Sequence, residues 1–289
     1  MLKMNRILLP VDFHETSRVV VHQAASLARH FHSELVILHV VTPLSYSAGA
    51  LEGSYVPTSV ADLKAELIGQ AQNNLDRFLA PELEGLAVKR MLLEGDPAHV
   101  IVETARHQNV DLIMMPTHGY GAFRRFLIGS VTAKVLHDSE GPVWTGAHLE
   151  GAALREFALR HMVCAVDLGP RSTHTVQWAA TFASEFNASL TLCHVTPPAG
   201  PYGLGGYPID SAWKETLFES AAKDLAKLQK DLNIKANVII ESGDVPRQLH
   251  QAANQANADL LVIGRPSGGR LRPTGYGIIR ESSVPVLSV

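Results

Sequence analysis

The sequence predicts an α/β chain made of two tandem, doubly wound parallel sheets, each of five strands. Three observations predict it. The chain has 289 residues, enough for two domains at ~150 residues each. Short apolar runs alternate with amphipathic stretches of helical period, the order of a parallel sheet covered by helices on both faces. The chain also repeats itself. Residues 7–42 laid over 162–197 without a gap give eleven identical pairs, among them Asp12/Asp167, Ser17/Ser172 and His39/His194, where average usage gives about two. The match resumes with Gly95-Asp96 over Gly243-Asp244 and Asn109-Val110-Asp111 over Asn257-Ala258-Asp259. It closes with Pro142-Val143 over Pro285-Val286. A period this long means a duplicated domain and not a solenoid. We place the domains at residues 1–147 and 158–289, joined near Ala147–Leu159.

Each element of the first half has a local reason. Arg6–Val11 is a short apolar run, a strand buried on both faces. Thr16 or Ser17 caps a helix running to about Phe31, with Val20, Ala24, Leu27 and Ala28 on one side. Leu35–Val41 is the second strand, and Pro43–Thr58, carrying Pro, Ser and Gly, is a loop. Ala61–Leu79 is helical and ends before Pro81; Val88–Leu93 is the third strand. Asp96 followed by Pro97 is a cap and a first-turn proline, opening a helix to about His107 that buries Val100, Ile101 and Ala105. Leu112–Met115 is strand four, Ser130–Asp138 the last helix and Val143–Thr145 the closing strand. Both closing strands, Val143–Thr145 and Val286–Val289, are expected at sheet edges, where open backbone invites pairing of the halves or of two chains.

Composition narrows the function. Hydrophobic residues make up 46% and charged residues 18%, which excludes a disordered chain. A net charge of -3 argues against a surface built to neutralise nucleic-acid phosphates. Two cysteines, Cys164 and Cys193, exclude a disulfide framework and fall on predicted strands as small buried hydrophobes. No apolar run approaches the ~18 residues of a membrane span. The five uncharged residues Ile7 to Val11 are too few for a signal-peptide core, so a cytoplasmic location is expected. The 14 histidines are scattered, and neither a metal-ligand set nor a Ser/His/Asp arrangement is legible. No Gly-Lys pair precedes Ser or Thr, so there is no Walker A loop.

In a doubly wound sheet, ligands bind beyond the carboxyl ends of the strands. Asp12 follows strand one, and His39-Val40 closes strand two. Strand four runs into Pro116-Thr117-His118-Gly119, and its loop reaches Gly129-Ser130 at a helix start. The first N–H groups of a helix lack internal partners, and its dipole places about half a positive charge there. Gly129 lets an anion approach the backbone, and Ser130 adds a hydroxyl; Ser130 capping its own helix is the alternative. Asp12 either faces a ligand or accepts from the N–H groups of its own loop.

Gly119, nine residues, then Gly129-Ser130 resembles the nucleotide-binding motif of the universal stress protein family. Ile7-Leu8-Leu9-Pro10-Val11-Asp12, Leu38-His39-Val40 and Gly141-Pro142-Val143 match it too, and the whole chain looks like a tandem member. The family's motif begins with a further glycine, at whose place this chain has Pro116. The resemblance implies an adenine nucleotide alpha-hydrolase-like fold, with ATP as the bound nucleotide, alone or with Mg²⁺. It assigns Thr117, Gly119, Gly129, Ser130 and the backbone of Val131 to the loop and helix start that hold phosphates and ribose. It assigns Asp12 and the backbone of Val40 to the adenine pocket. It also implies a homodimer or an intramolecular pseudo-dimer.

The second half departs further. Across the strand-four loop the shift between repeats falls from 148 to 143 residues, so Arg272 and Pro273 stand where Gly129 and Ser130 do. Nucleotide is therefore expected mainly in the first half, although Arg265, Arg270 and Arg272 could still draw an anion to the second. The expected function is a regulatory ATP-binding protein of the stress response, not an enzyme. The alternative is a dimerising interaction module with a vestigial site. A nucleotide-cleaving enzyme lacks candidate catalytic residues.

Overall fold

The computed structural model describes residues 2–43, 60–117, 128–146, 157–197, 211–266 and 270–289. The first half runs β1 (Arg6–Pro10), α1 (Glu15–Phe31), β2 (Glu34–Val41), α2 (Val60–Arg77), β3 (Val88–Glu94), α3 (Pro97–His107), β4 (Leu112–Met115), α4 (Ser130–Asp138) and β5 (Val143–Thr145). The second runs β6 (His161–Ala165), α5 (Ser172–Glu185), β7 (Ser189–Thr196), α6 (Ser211–Leu232), β8 (Asn237–Ser242), α7 (Val245–Gln255), β9 (Leu260–Ile263), α8 (Pro273–Glu281) and β10 (Val286–Ser288). All of the expected loop at 43–58 except Pro43, and most of the joint at 147–159, lie outside the described residues.

The strands form one sheet in the order β3-β2-β1-β4-β5-β10-β9-β6-β7-β8. All neighbours are parallel except β5 and β10, which pair antiparallel with Leu287 opposite Trp144. The two expected five-stranded sheets are thus halves of a single ten-stranded one. As expected, each closing strand is the edge of its own half, and the two halves pair through it. Each is three residues long and central in the joined sheet, whose edges are β3 and β8. Pairing the two short strands removes an open edge from each half. Side chains reinforce the seam: the Thr145 hydroxyl donates to Val286 O at 3.1 Å and that of Ser288 to Val143 O at 3.2 Å.

Strand alternation splits the core into two layers. Ile7, Leu9, Leu35, Ile37, Trp144, Met162 and Leu287 face one layer, covered by α1, α2, α5 and α6. Leu8, Val36, Ile113, Val143, Val163 and Val286 face the other, covered by α3, α4, α7 and α8. The halves also meet through these layers. On the first, His30 stacks on Phe186 with ring centroids 4.2 Å apart. On the second, the Tyr276 hydroxyl of α8 donates to Ala133 O of α4 at 3.3 Å.

Repeated residues prove to be fasteners. Asp96 and Asp244 cap α3 and α7, accepting from His99 N at 2.9 Å and Arg247 N at 3.3 Å. Asp111 Oδ2 accepts from Asn5 N and Arg6 N, and Asp259 Oδ2 likewise from Arg160 N and His161 N. His39 Nδ1 lies 2.8 Å from Val11 O and His194 Nδ1 2.7 Å from Val166 O, tying the ends of neighbouring strands. α3 buries Ala98, Ile101 and Thr104, so only Ile101 of the expected three is fully covered. Cys164 and Cys193 are buried on opposite layers, and burial pushes both thiols up to about 12.

Candidate functional site

The turn after β1 shows what Asp12 does without a ligand. Its Oδ1 accepts from His14 N at 3.1 Å and from the Ser17 hydroxyl at 2.8 Å. Asp167 repeats the arrangement with Gly169 N and the Ser172 hydroxyl, both at 2.9 Å. The reading of Asp12 as an acceptor for its own loop therefore holds for one carboxylate oxygen, while the residue itself is exposed. Ser17 is not the cap of α1. That place belongs to His14, which makes no side-chain cap bond, and the Ser17 hydroxyl turns back to Asp12. The residue after each aspartate, Phe13 or Leu168, is held at φ 64 or 55, the left-handed region, a strain of about 1–3 kcal/mol. The Phe13 ring lies 4.3 Å from that of His39.

The start of α4 is bound to the end of β4. Gly129 N donates to Thr117 O at 3.0 Å, and the Thr132 hydroxyl to Pro116 O at 3.0 Å. Thr117 is 3% exposed, and its hydroxyl donates to Gly146 O, so its side chain braces the site. Gly129 is the N-cap and supplies no side-chain cap, and the first internal bond of the helix is Ala133 N to Gly129 O at 2.8 Å. Ser130 is thus the first helical residue and not the cap. The N–H groups of Ser130, Val131 and Thr132 have no acceptor among the described residues. These three donors, an exposed Ser130 hydroxyl and no side chain on Gly129 give the helix start a positive partial charge suited to an anion. Lys134, one turn on, is paired with Asp96 at 3.0 Å. Gly119, His118 and Arg124-Arg125 lie outside the described residues.

Asp12, Val40, Thr117 and Gly129-Ser130 all follow or close the carboxyl ends of β1, β2 and β4, which are neighbours in the sheet. Val40 sits opposite Leu93 of β3, half-buried. In the second half the equivalent positions demonstrably share one space. Asp167, Val195, Gly264, Arg272 and Thr274 line a cavity of about 390 Å³. Its helix start differs. Pro273 opens α8 without an N–H, and Gly275 N is spent on Arg272 O at 2.9 Å. Of the first-turn donors only Thr274 N stays unpaired among the described residues, against three in α4.

Arg265 is not a free anion collector. It is 4% exposed and reaches across the seam, Nη1 donating to Ser139 O at 2.8 Å and Nη2 to Gly141 O, at the end of α4. Burial, aided by the nearby Arg171 charge, pulls its pKa down to about 10.

Residues 3–145 and 158–289 each match the family model described as the universal stress protein family. The chain belongs to the universal stress protein family. It is 26% identical over 295 residues to a universal stress protein of Mycolicibacterium smegmatis, covering 98% of this chain and 96% of that one. It is 31% identical over 150 residues to a single-domain-length relative from Methanocaldococcus jannaschii, covering 48% of this chain and 91% of the relative. Among solved structures, a universal stress protein from Archaeoglobus fulgidus superposes with a TM-score of 0.66 at 21% identity, covering 99% and 96% of the two chains, a likeness of fold.

Within this universal stress protein, two features were missed by sequence reasoning. Sequence reasoning left the arginines of the second half able to draw an anion but did not find the apolar cavity beside them. The signal was Leu271 and Gly275, four apart: a Cβ on Gly275 would come within 2.6 Å of Leu271, so the two residues fit each other. The seam role of Arg265 left no local signal. Among the described residues, no helix is long and apolar enough to cross a membrane, and no three metal-binding side chains cluster.

Proposed function

We propose that this universal stress protein binds ATP in its first domain, residues 1–147, as a regulatory ligand of a cytoplasmic stress response. The observation that carries the reading is the start of α4, where three N–H groups behind a glycine cap have no acceptor among the described residues. Phosphate oxygens would take the N–H groups of Ser130 and Val131 and the Ser130 hydroxyl, with Gly119 supplying the loop's close approach. Asp12, through the oxygen that has no partner among the described residues, and the backbone of Val40 would line the adenine pocket. Thr117 seats the helix start, its hydroxyl being committed to Gly146 O. Mg²⁺ would enter with the phosphates. The site supplies binding and orientation.

The test is a melting experiment on the full chain. A ligand that binds only the folded state adds about 4 kcal/mol at a thousandfold excess over Kd. ATP with Mg²⁺ should raise the melting temperature, and Gly129→Asp should abolish the rise by setting a carboxylate among the phosphates. An equal response from the mutant refutes the phosphate site. A second reading, an interaction module with a vestigial site, is favoured by Pro116 in place of the motif's first glycine. Nucleotide released by denaturing the freshly purified protein decides between them: ATP supports the first, an empty site the second.

A further inference from the structure

The second half offers fewer backbone donors at its helix start and keeps a cavity. At the carboxyl ends of β6, β7 and β9 the space of about 390 Å³ falls within the range of small-molecule sites. Its depth is apolar, with Leu249, Ile263 and Ile278 all buried. Leu271 is 6% exposed and folds onto Gly275 in the first turn of α8, apolar cover over the place where the first domain leaves N–H groups open. At the same time three guanidinium groups line the space, Arg171, Arg265 and Arg272, against one carboxylate, Asp167. None of the three makes an ion pair among the described residues. Arg171 donates to His174 Nδ1 at 3.2 Å, and Arg265 is held by backbone carbonyls. Arg171 and Arg265 are close enough to repel each other. Uncompensated positive charge around an apolar cavity is costly and is relieved by an anion.

We propose that this cavity is a second ligand site, specific for a small organic acid, its apolar body on Leu249, Ile263 and Ile278 and its carboxylate on Arg171 and Arg272. The planar fork of a guanidinium matches a carboxylate and replaces the backbone donors that Pro273 and Gly275 no longer supply. A polyphosphate is disfavoured for the same reasons. Leu271 covers the helix start, and Asp167 lines the same cavity. The site stands on the second half's own residues and does not depend on nucleotide binding by the first.

Calorimetry on the full chain tests it with two acids, octanoate and 3-phenylpropanoate, and their neutral counterparts, 1-octanol and 3-phenyl-1-propanol. At least one acid should bind saturably, one per chain, and roughly tenfold or more tighter than its alcohol. Arg171→Gln with Arg272→Gln should remove that preference while leaving far-UV dichroism unchanged. Binding should persist in Gly129→Asp and in the presence of ATP, which separates this site from the first-domain reading. Acid and alcohol binding alike, absence of saturable binding by both acids, or displacement of the acid by ATP in the Gly129→Asp chain would overturn the proposal. The comparison of acid with alcohol uses the unmodified protein, so it decides even if the arginine variants fold poorly.

Discussion

Replacing Arg265 with methionine should cost the folded chain only about 1–2 kcal/mol, and replacing it with lysine should cost more. The magnitude follows from the seam. Two hydrogen bonds from the guanidinium reach Ser139 O and Gly141 O, each contributing about 1.5–3 kcal/mol as a charged donor. Against them stands the cost of burying the charge. A guanidinium whose pKa drops to about 10 on folding gives up about 3 kcal/mol relative to one in water. Methionine keeps the aliphatic stem in its buried slot and abolishes both terms. It leaves Ser139 O without a donor, while Gly141 O keeps the Ser139 hydroxyl at 3.3 Å. Lysine retains the charge but has no fork to span two carbonyls, so it keeps the burial cost and loses a bond, about 2–3 kcal/mol. Urea unfolding of the three full-length proteins, followed by circular dichroism at equal slope, measures the differences. A lysine variant as stable as the parent would show that a point charge suffices and that the carbonyl fork is not what holds Arg265. A methionine variant weakened by more than about 4 kcal/mol would show that the burial cost is overstated.

Transplanting the second half's helix start tests the first. Gly129 already has φ -58 and ψ 145, the conformation required before proline. Ser130→Pro should therefore fold normally and weaken ATP by roughly tenfold or more through the lost N–H and hydroxyl; unchanged affinity by calorimetry sinks the assignment. Titration of the full chain should give one tight ATP, retained in Asp167→Asn. Asp96→Ala should cost about 1 kcal/mol as a lost cap. The His99 N–H, and then Lys134, hold the Asp96 carboxyl below its usual pKa. Its stabilisation is thus full above the ordinary carboxylate range and lost as pH falls through the lowered value, and the gap in melting temperature between parent and variant should shrink below about pH 4. Deleting Val286 to Val289 removes a central strand and should expose the β5 edge, giving aggregation by light scattering; a monodisperse, equally stable product would contradict the central placement.

The elements, the duplication and the glycine-serine opening of α4 were all readable along the chain. Strands betray themselves by apolar runs, helices by their period, and caps such as Asp96-Pro97 by requirements met within four residues, so each is written locally. Of the candidate site, the helix start was legible to the same depth, because Gly129-Ser130 opens α4 through backbone geometry alone. Tertiary structure decided the rest. It set β10 antiparallel beside β5 in mid-sheet, turned Ser17 from a cap into a partner of Asp12, and confined the Thr117 hydroxyl to Gly146 O. It sent Arg265 across the seam to carbonyls more than a hundred residues away, and it closed Leu271 over Gly275 to leave an apolar cavity rimmed with arginine. Such contacts join residues distant along the chain, and the free energy that selects among them is the packing of whole layers, which no spacing within one element encodes.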